Sequence, residues 1–149
     1  MKKVLSFVLT IALAISLCVC AVEATPLMDE SIAPMRASDY FSSYSVAATS
    51  GSEGDVAISI SIRPKRTMDS IGATKIVIQE KDGSRWQEAY TKTGTIYNGL
   101  LDSDARGFRG SYTYSGISGK TYRAIVTLYA EDAFGNDSKT VTTNSVVAK

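Results

Sequence analysis

Carboxylates are the side chains of this sequence that could support catalysis without other residue types. Asp102 and Asp104 flank Ser103, and Glu131 and Asp132 are adjacent in the chain. Paired carboxylates serve as acid and base, or as acid and nucleophile, in glycoside hydrolysis. A small carboxylate-dependent hydrolase is therefore one function that the sequence allows.

Histidine is absent from the sequence, and Cys18 and Cys20 are its only two cysteines. Serine, cysteine and most zinc hydrolases need imidazole as a base or as a metal ligand. Acidic pairs also arise in polar surface loops that have no catalytic role. We therefore expect no catalytic residues, and we keep the hydrolase as the alternative to a non-enzymatic function.

The segment from Asp102 to Gly107 resembles the beginning of a calcium-binding loop, with carboxylates at its first and third positions and glycine at its sixth. Such a loop needs an oxygen ligand at position five and a glutamate at position twelve. Arg106 and Tyr112 occupy those two positions here. We therefore expect an ordinary loop, and we expect no metal and no cofactor.

Aromatic side chains remain as candidates for molecular recognition. Rings on β-strands stack on sugars or anchor protein partners, although they also pack in cores and across strands. The candidate binding surface consists of Trp86, Tyr90, Tyr97 and Tyr129. Two further tyrosines, Tyr112 and Tyr114, share one face of a predicted strand.

The N-terminus has the three parts of a secretory signal peptide. Two lysines precede an uncharged apolar run, and the cleavage-site pattern Val22-Glu23-Ala24 follows it. We predict a signal peptide at 1–24, cleaved after Ala24 or alternatively after Ala21, a spacer at 25–38, and a β domain at 39–149. The sequence therefore predicts a secreted, extracellular protein.

Two other fates of the N-terminal segment stay open. The apolar run is close to the length that spans a bilayer, so it could be kept as an anchor. Lipid attachment is less favoured, because Leu17 and Val19 precede the two cysteines where a small residue is required.

Removal of residues 1–24 leaves 125 residues with 14 basic and 14 acidic side chains and no cysteine. Stability must then come from a packed core rather than from disulfides. The balanced charge argues against nucleic-acid binding and against a polybasic membrane contact. Arg63, Lys65 and Arg66 form a local basic group, which we interpret as a solvated strand end rather than an anion site.

From Asp39 onward, short alternating runs are separated by Gly, Asp, Asn and Ser, as in β-strands and turns. The clearest run is DVAISISIR, residues 55–63, in which every second residue is aliphatic. The predicted strands cover residues 40–48, 55–63, 73–79, 85–90, 107–116, 122–130 and 138–147. Residues 64–73 are predicted to be a crossover, Asp82 and Gly83 a tight hairpin turn, and 91–107 a long loop. This pattern predicts an all-β, antiparallel two-sheet sandwich of about seven strands.

One stretch, SGISGKTYRAIVTLYAEDAFGNDSKT (residues 115–140), resembles the E–F corner, F strand and F–G hairpin of fibronectin type III and related immunoglobulin-like domains. In that family a tyrosine begins strand F, and its hydroxyl bonds to backbone a few residues upstream. The resemblance implies that Tyr122 is a buried structural residue whose hydroxyl bonds near Ile117 or Gly119. The whole chain also resembles small secreted proteins of Gram-positive bacteria, which implies a fold but no activity.

The sequence also departs from these families. The fibronectin core tryptophan on strand B is replaced by aliphatic residues, the immunoglobulin cysteine pair is absent, and no RGD tripeptide occurs. Integrin binding is therefore not implied. We expect a secreted, non-enzymatic β-sandwich module that binds an extracellular protein or a cell-surface glycan. We expect no nucleic-acid partner, and no membrane contact after signal cleavage.

Overall fold

The computed structural model describes residues 38–149. The nine strands of this range are β1 (Phe41–Ser50), β2 (Asp55–Pro64), β3 (Met68–Asp82), β4 (Arg85–Thr93), β5 (Leu101–Ala105), β6 (Phe108–Ser115), β7 (Thr121–Asp132), β8 (Gly135–Thr142) and β9 (Val146–Val147). A 3₁₀ turn, Ile96–Asn98, lies between β4 and β5. The predicted signal peptide and the spacer up to residue 37 lie outside the described residues. Within 38–149, no helix has the length and apolar character needed to cross a membrane.

The strands form two antiparallel sheets. The smaller sheet has the order β1-β2-β6, and the larger sheet has the order β4-β3-β7-β8. In the larger sheet, β5 pairs with the first part of β3, and β9 pairs with the start of β7. The predicted all-β, two-sheet antiparallel architecture is therefore confirmed.

Period-two alternation determines which side chains enter the core, because successive residues of a strand point to opposite faces. On β2 and β7, every second side chain is buried, as predicted for both runs. The inner faces of both sheets contribute to one hydrophobic cluster. Its members on β2 and β7 are Val56, Ile58, Ile60, Ile62, Tyr122, Ala124, Val126, Leu128 and Ala130.

Three connections differ from the prediction. The expected crossover at 64–73 is largely part of β3, because Met68 and Ile71 are buried on a strand that is paired on both edges. The expected loop at 91–107 contains the end of β4, the 3₁₀ turn and β5. The expected last strand is divided into β8 and β9, which pair with different parts of β7.

The predicted hairpin between β3 and β4 is present, but its turn begins one residue later. Asp82 pairs with Arg85, so Gly83 and Ser84 form the two-residue loop. Gly83 has a φ of 58°, whereas Asp82 keeps a negative φ. The two-residue turn is therefore Gly83-Ser84 rather than the predicted Asp82-Gly83, and Gly83 supplies its positive φ.

Gly94 provides a test of how closely the segment after β4 approaches β3. Its N–H donates to the Thr74 carbonyl at 2.8 Å, and an added Cβ would lie 1.7 Å from the Ala73 carbonyl oxygen. We expect Gly94→Ala to reduce the free energy of unfolding by about 1 to 3 kcal/mol, because backbone must move to admit the methyl group. Urea unfolding measures this loss. Gly107→Ala is the control, since its added Cβ would make an ordinary 3.5 Å contact; equal losses would contradict the close approach.

Candidate functional site

Tyr122 lies at the start of β7 with its ring fully buried. The Ile117 N–H donates to its hydroxyl at 3.0 Å, which confirms the predicted bond to upstream backbone. The hydroxyl in turn donates to Glu80 Oε2 at 3.1 Å, and Glu80 Oε1 lies 2.9 Å from Lys120 Nζ. The tyrosine therefore ties the segment between β6 and β7 to β3.

Protonation fits this structural role. Burial is the main factor that raises the pKa of Tyr122 above its usual value, and it outweighs the opposing hydrogen bond from Ile117. The hydrogen bond from Lys120, followed by that from Tyr122, lowers the pKa of Glu80. At neutral pH the phenol is therefore a donor and the carboxylate an acceptor, as the network requires.

Tyr90, one of the four candidates, belongs to a cluster of tyrosines between the two sheets. Its ring stacks on Tyr112 with centroids 6.2 Å apart and on Tyr114 at 5.9 Å, and Tyr114 meets Tyr122 edge-on at 5.5 Å. Burial is the main factor that raises the pKa of Tyr112 to about 12. Tyr90 is 39% exposed, but its ring joins β4 to β6 and serves packing.

Trp86 lies on the outer face of the larger sheet, where it pairs with Lys81 of β3. The Arg123 guanidinium lies 4.2 Å from the centre of its ring, and Arg123 Nε also donates to Gln79 at 2.8 Å. The tryptophan is thus half-buried under a fixed cation. It is a surface residue and takes no part in the core.

Tyr129 is also on the outer face of β7, but it lies six residues beyond Arg123, about 20 Å further along the strand. Its O–H donates to Glu131 at 2.9 Å. Burial, followed by this hydrogen bond, raises the pKa of Tyr129. Tyr129 and Trp86 therefore belong to different parts of the same face.

Tyr97 has a completely exposed ring, with a relative exposure of 101%. It lies in the 3₁₀ turn, which is held by reciprocal hydrogen bonds between Thr95 and Asn98 and ends at Gly99 with a φ of 71°. The turn presents Tyr97 from a well-defined backbone. The structure places the four aromatic candidates at separate locations, so they do not form one surface.

The adjacent carboxylates of β7 do not face each other, since consecutive strand residues point to opposite faces. Glu131 accepts the hydrogen bond from Tyr129, and Asp132 forms an ion pair with Arg66. Asp102 and Asp104 are exposed on β5. Within residues 38–149, no group of three His, Cys, Asp or Glu side chains is placed to hold a metal ion.

A shallow groove of about 260 Å³ beside the β3–β4 hairpin is lined by Glu80, Asp82 and Glu88, together with Lys120. Each carboxylate already accepts a hydrogen bond from a neighbour. Glu80 accepts from Tyr122, Asp82 from Gln87 at 3.0 Å, and Glu88 from Thr91 at 2.7 Å. The groove is therefore an acidic surface whose groups are committed to structural bonds.

The outer face of the smaller sheet is the feature that the sequence analysis missed. Its outward positions are almost all small and polar, and cross-strand partners share this face. We call it the serine face. Its members are Ser43, Ser45, Ala47, Thr49, Ala57, Ser59, Ser61, Arg63, Arg109, Ser111 and Thr113.

Two adjoining grooves of about 620 and 650 Å³ run over the serine face, and Ser45, Ser61 and Arg109 line both of them. Among the described residues, no carboxylate lines either groove. Asn98 and Gly99 line the second groove, so the turn that carries Tyr97 stands at its border. The surface offers hydroxyl and guanidinium groups, and the turn at its border carries the exposed ring of Tyr97.

Part of the signal for this surface is present in the sequence. Serines alternate with apolar residues in both β1 and β2, a pattern that predicts a polar outer face but no ligand. The pairing of Ser61 with Arg109 depends on the register between β2 and β6, which the sequence does not reveal. Comparison of the chain with models of known protein families and with curated proteins finds no match.

Proposed function

We propose that this chain is a secreted, non-enzymatic module of the immunoglobulin-like class and that it binds a cell-surface glycan through the serine face. Strand order supports the class. With β1, β2 and β6 taken as strands A, B and E, and β8, β7, β3 and β4 as G, F, C and C′, the strand order of the two sheets is similar to that of immunoglobulin domains.

The tyrosine corner is a second support for this class. The Tyr122 hydroxyl bonds to Ile117 five residues upstream, at the connection between the strands that correspond to E and F. Ala124, two residues later, is fully buried at the position where antibody domains place a disulfide cysteine. A small apolar residue at this position accords with a fold that has no disulfide in its β domain.

The serine face is the observation that carries the glycan part of the proposal. Hydroxyls both donate and accept hydrogen bonds, and this matches the hydroxyls of a sugar chain. The hydroxyls of Ser45, Ser61 and Ser111 make no hydrogen bond to another side chain or to backbone within residues 38–149, so they are available to a ligand. Tyr97 at the border provides a ring on which a sugar can stack.

A glycan fits this face better than a protein partner does. The centre of a protein interface is enriched in aromatic residues, Met and Arg and depleted in Ser and Ala. The centre of the serine face is made of Ser45, Ala47, Ser59, Ser61 and Ser111. The two grooves adjoin and are open to solvent, which suits a polymer. The non-enzymatic part of the proposal is supported by the contacts of the carboxylates. Glu80 accepts a hydrogen bond from Tyr122, and Asp132 forms an ion pair with Arg66, so both groups serve the structure.

Binding to immobilised polysaccharides tests this function. The secreted protein should bind at least one, and Ser61→Leu should weaken that binding by about three- to tenfold, because one hydroxyl contact is lost and the groove is partly filled. Isothermal titration of the same polysaccharide gives the affinities. Thr140→Leu, an exposed change on β8 of the other sheet, is the control and should bind normally. Unchanged binding by Ser61→Leu, or capture of a protein in place of any polysaccharide, would contradict the proposal.

A further inference from the structure

Cations gather at one end of the serine face. The groove of about 620 Å³ is lined by Arg63, Arg106 and Arg109. A neighbouring groove of about 400 Å³ shares Arg106 and adds Lys65 and Arg66. Within residues 38–149, no carboxylate lines either groove. The basic triplet of the sequence is thus extended by two arginines that lie at least 40 residues later in the chain.

Arg63, Arg106 and Arg109 differ from Arg66 in their contacts. Arg66 pairs with Asp132 and lies over two aromatic rings, so it serves the structure around the β7–β8 turn. None of the other three has a carboxylate partner among the described residues. We call these three the arginine triad.

Backbone register sets the geometry of the triad. Arg109 pairs with Ser61, and Arg63 is the next outward residue of β2, so the two side chains are diagonal neighbours about 7 to 8 Å apart. Arg106 lies in the short connection before β6, and its Nε donates to Thr67 Oγ1 at 3.1 Å. Thr67 therefore orients the third guanidinium toward the end of the sheet where the other two lie.

Charge on this face is polarised, although the whole chain has a net charge of only +1. The opposite end of β2 carries Asp55, about 27 Å from Arg63, and Asp55 accepts a hydrogen bond from Ser115 at 2.9 Å. Arg63 is thus remote from the carboxylate of β2. Guanidinium groups bind carboxylate and phosphate oxygens in pairs, so exposed arginines beside an open groove are suited to oxyanions.

We propose that the arginine triad recognises anionic groups, carboxylate or phosphate, on the glycan that occupies the serine face. This inference rests on the proposed function and specifies its ligand class. An acidic peptide is the less favoured ligand. Its carboxylates only accept hydrogen bonds, whereas the serine hydroxyls that continue the groove both donate and accept them, as sugar hydroxyls do.

A matched set of dextrans tests the inference. Plain dextran, carboxymethyl dextran and phosphorylated dextran share one backbone, which carries no charged group, carboxylates or phosphates, respectively. Poly-glutamate represents an acidic peptide. We expect the secreted protein to bind at least one anionic dextran about tenfold more tightly than plain dextran. The form bound more tightly identifies whether carboxylate or phosphate is preferred.

Two triple variants separate local recognition from general charge. Arg63→Gln/Arg106→Gln/Arg109→Gln should lose about tenfold or more in affinity for the anionic dextran, and this loss should exceed its loss of affinity for plain dextran. Lys75→Gln/Lys81→Gln/Arg85→Gln has the same change in charge on exposed positions of the other sheet, and should stay within about twofold of the original. Thermal melting confirms that both variants are folded.

The outcomes distinguish this inference from the proposed function. Equal affinity for charged and plain dextran, equal losses in the two triple variants, or equally tight binding of poly-glutamate would overturn the anionic-glycan inference. A neutral polysaccharide bound in a manner sensitive to Ser61→Leu would leave the proposed function standing in each of these cases. Conversely, binding of anionic dextran could depend on the arginine triad and be unchanged by Ser61→Leu. That result would support the role of the triad and contradict the role of the serine face.

Discussion

Tyr122→Ala should lower the free energy of unfolding by about 3 to 5 kcal/mol, as truncation of a buried aromatic residue does. The ring is fully buried, packs edge-on against Tyr114, and lies so close to Gly116 that a Cβ there would come within 2.7 Å of it. Alanine would leave a cavity where two strands and the corner between them converge. Such a loss is a large part of the 5 to 15 kcal/mol that stabilises a typical domain.

Tyr122→Phe isolates the hydroxyl from the ring. It removes the bonds to Ile117 and Glu80 and keeps the packing, so we expect a loss of about 0.5 to 1.5 kcal/mol. Denaturant unfolding of both variants gives the two values. Tyr97→Ala is the matched control, because its ring is fully exposed and its removal should change stability by no more than about 0.5 kcal/mol.

Ligand binding adds a second readout to this comparison. Tyr122 is remote from solvent, so Tyr122→Phe should bind glycan as the original protein does under conditions in which it is folded. If Tyr122→Phe kept full stability and lost binding, the tyrosine would belong to a ligand site, and its structural assignment would be wrong.

Local patterns were sufficient to predict much of the architecture. Alternation on β2 and β7 predicted their inner faces, because the period of a strand is a property of consecutive residues. The position of Tyr122 after a glycine-containing turn carried the resemblance to fibronectin type III domains, and that resemblance implied its hydrogen bond to upstream backbone. These features depend on neighbours in the chain, and they could therefore be predicted without knowing which strands pair.

Features that depend on pairing between distant strands could not be predicted. The polar sequence of β5 has no alternation, and it becomes a strand because β3 extends past β4 and offers a free edge. The four aromatic candidates were grouped by residue type, but Trp86 and Tyr90 lie on different faces of β4. The serine face and the arginine triad require the register of three strands, which no single segment specifies.

The last prediction tests the faces of β2 directly. Ile60 is 2% exposed on the inner face of the central strand of the smaller sheet, and its side chain belongs to the common core. Ile60→Ala should reduce the free energy of unfolding by about 2 to 5 kcal/mol, through lost burial and the cavity left behind. The neighbouring Ser59→Ala should change it by no more than about 0.5 kcal/mol, since Ser59 points outward and its 3.4 Å contact with the Ala47 carbonyl is weak.

Glycan binding should be affected by these two substitutions in the reverse order to stability. Ser59 lines the groove of about 650 Å³, whereas Ile60 presents its side chain to the core beneath it. Ser59→Ala should therefore weaken glycan binding while keeping stability, and folded Ile60→Ala should bind normally while losing stability. Urea melts and glycan titrations on the same two proteins measure both effects. Equal small losses of stability would mean that β2 or its faces are assigned wrongly, and the serine face would then have no basis.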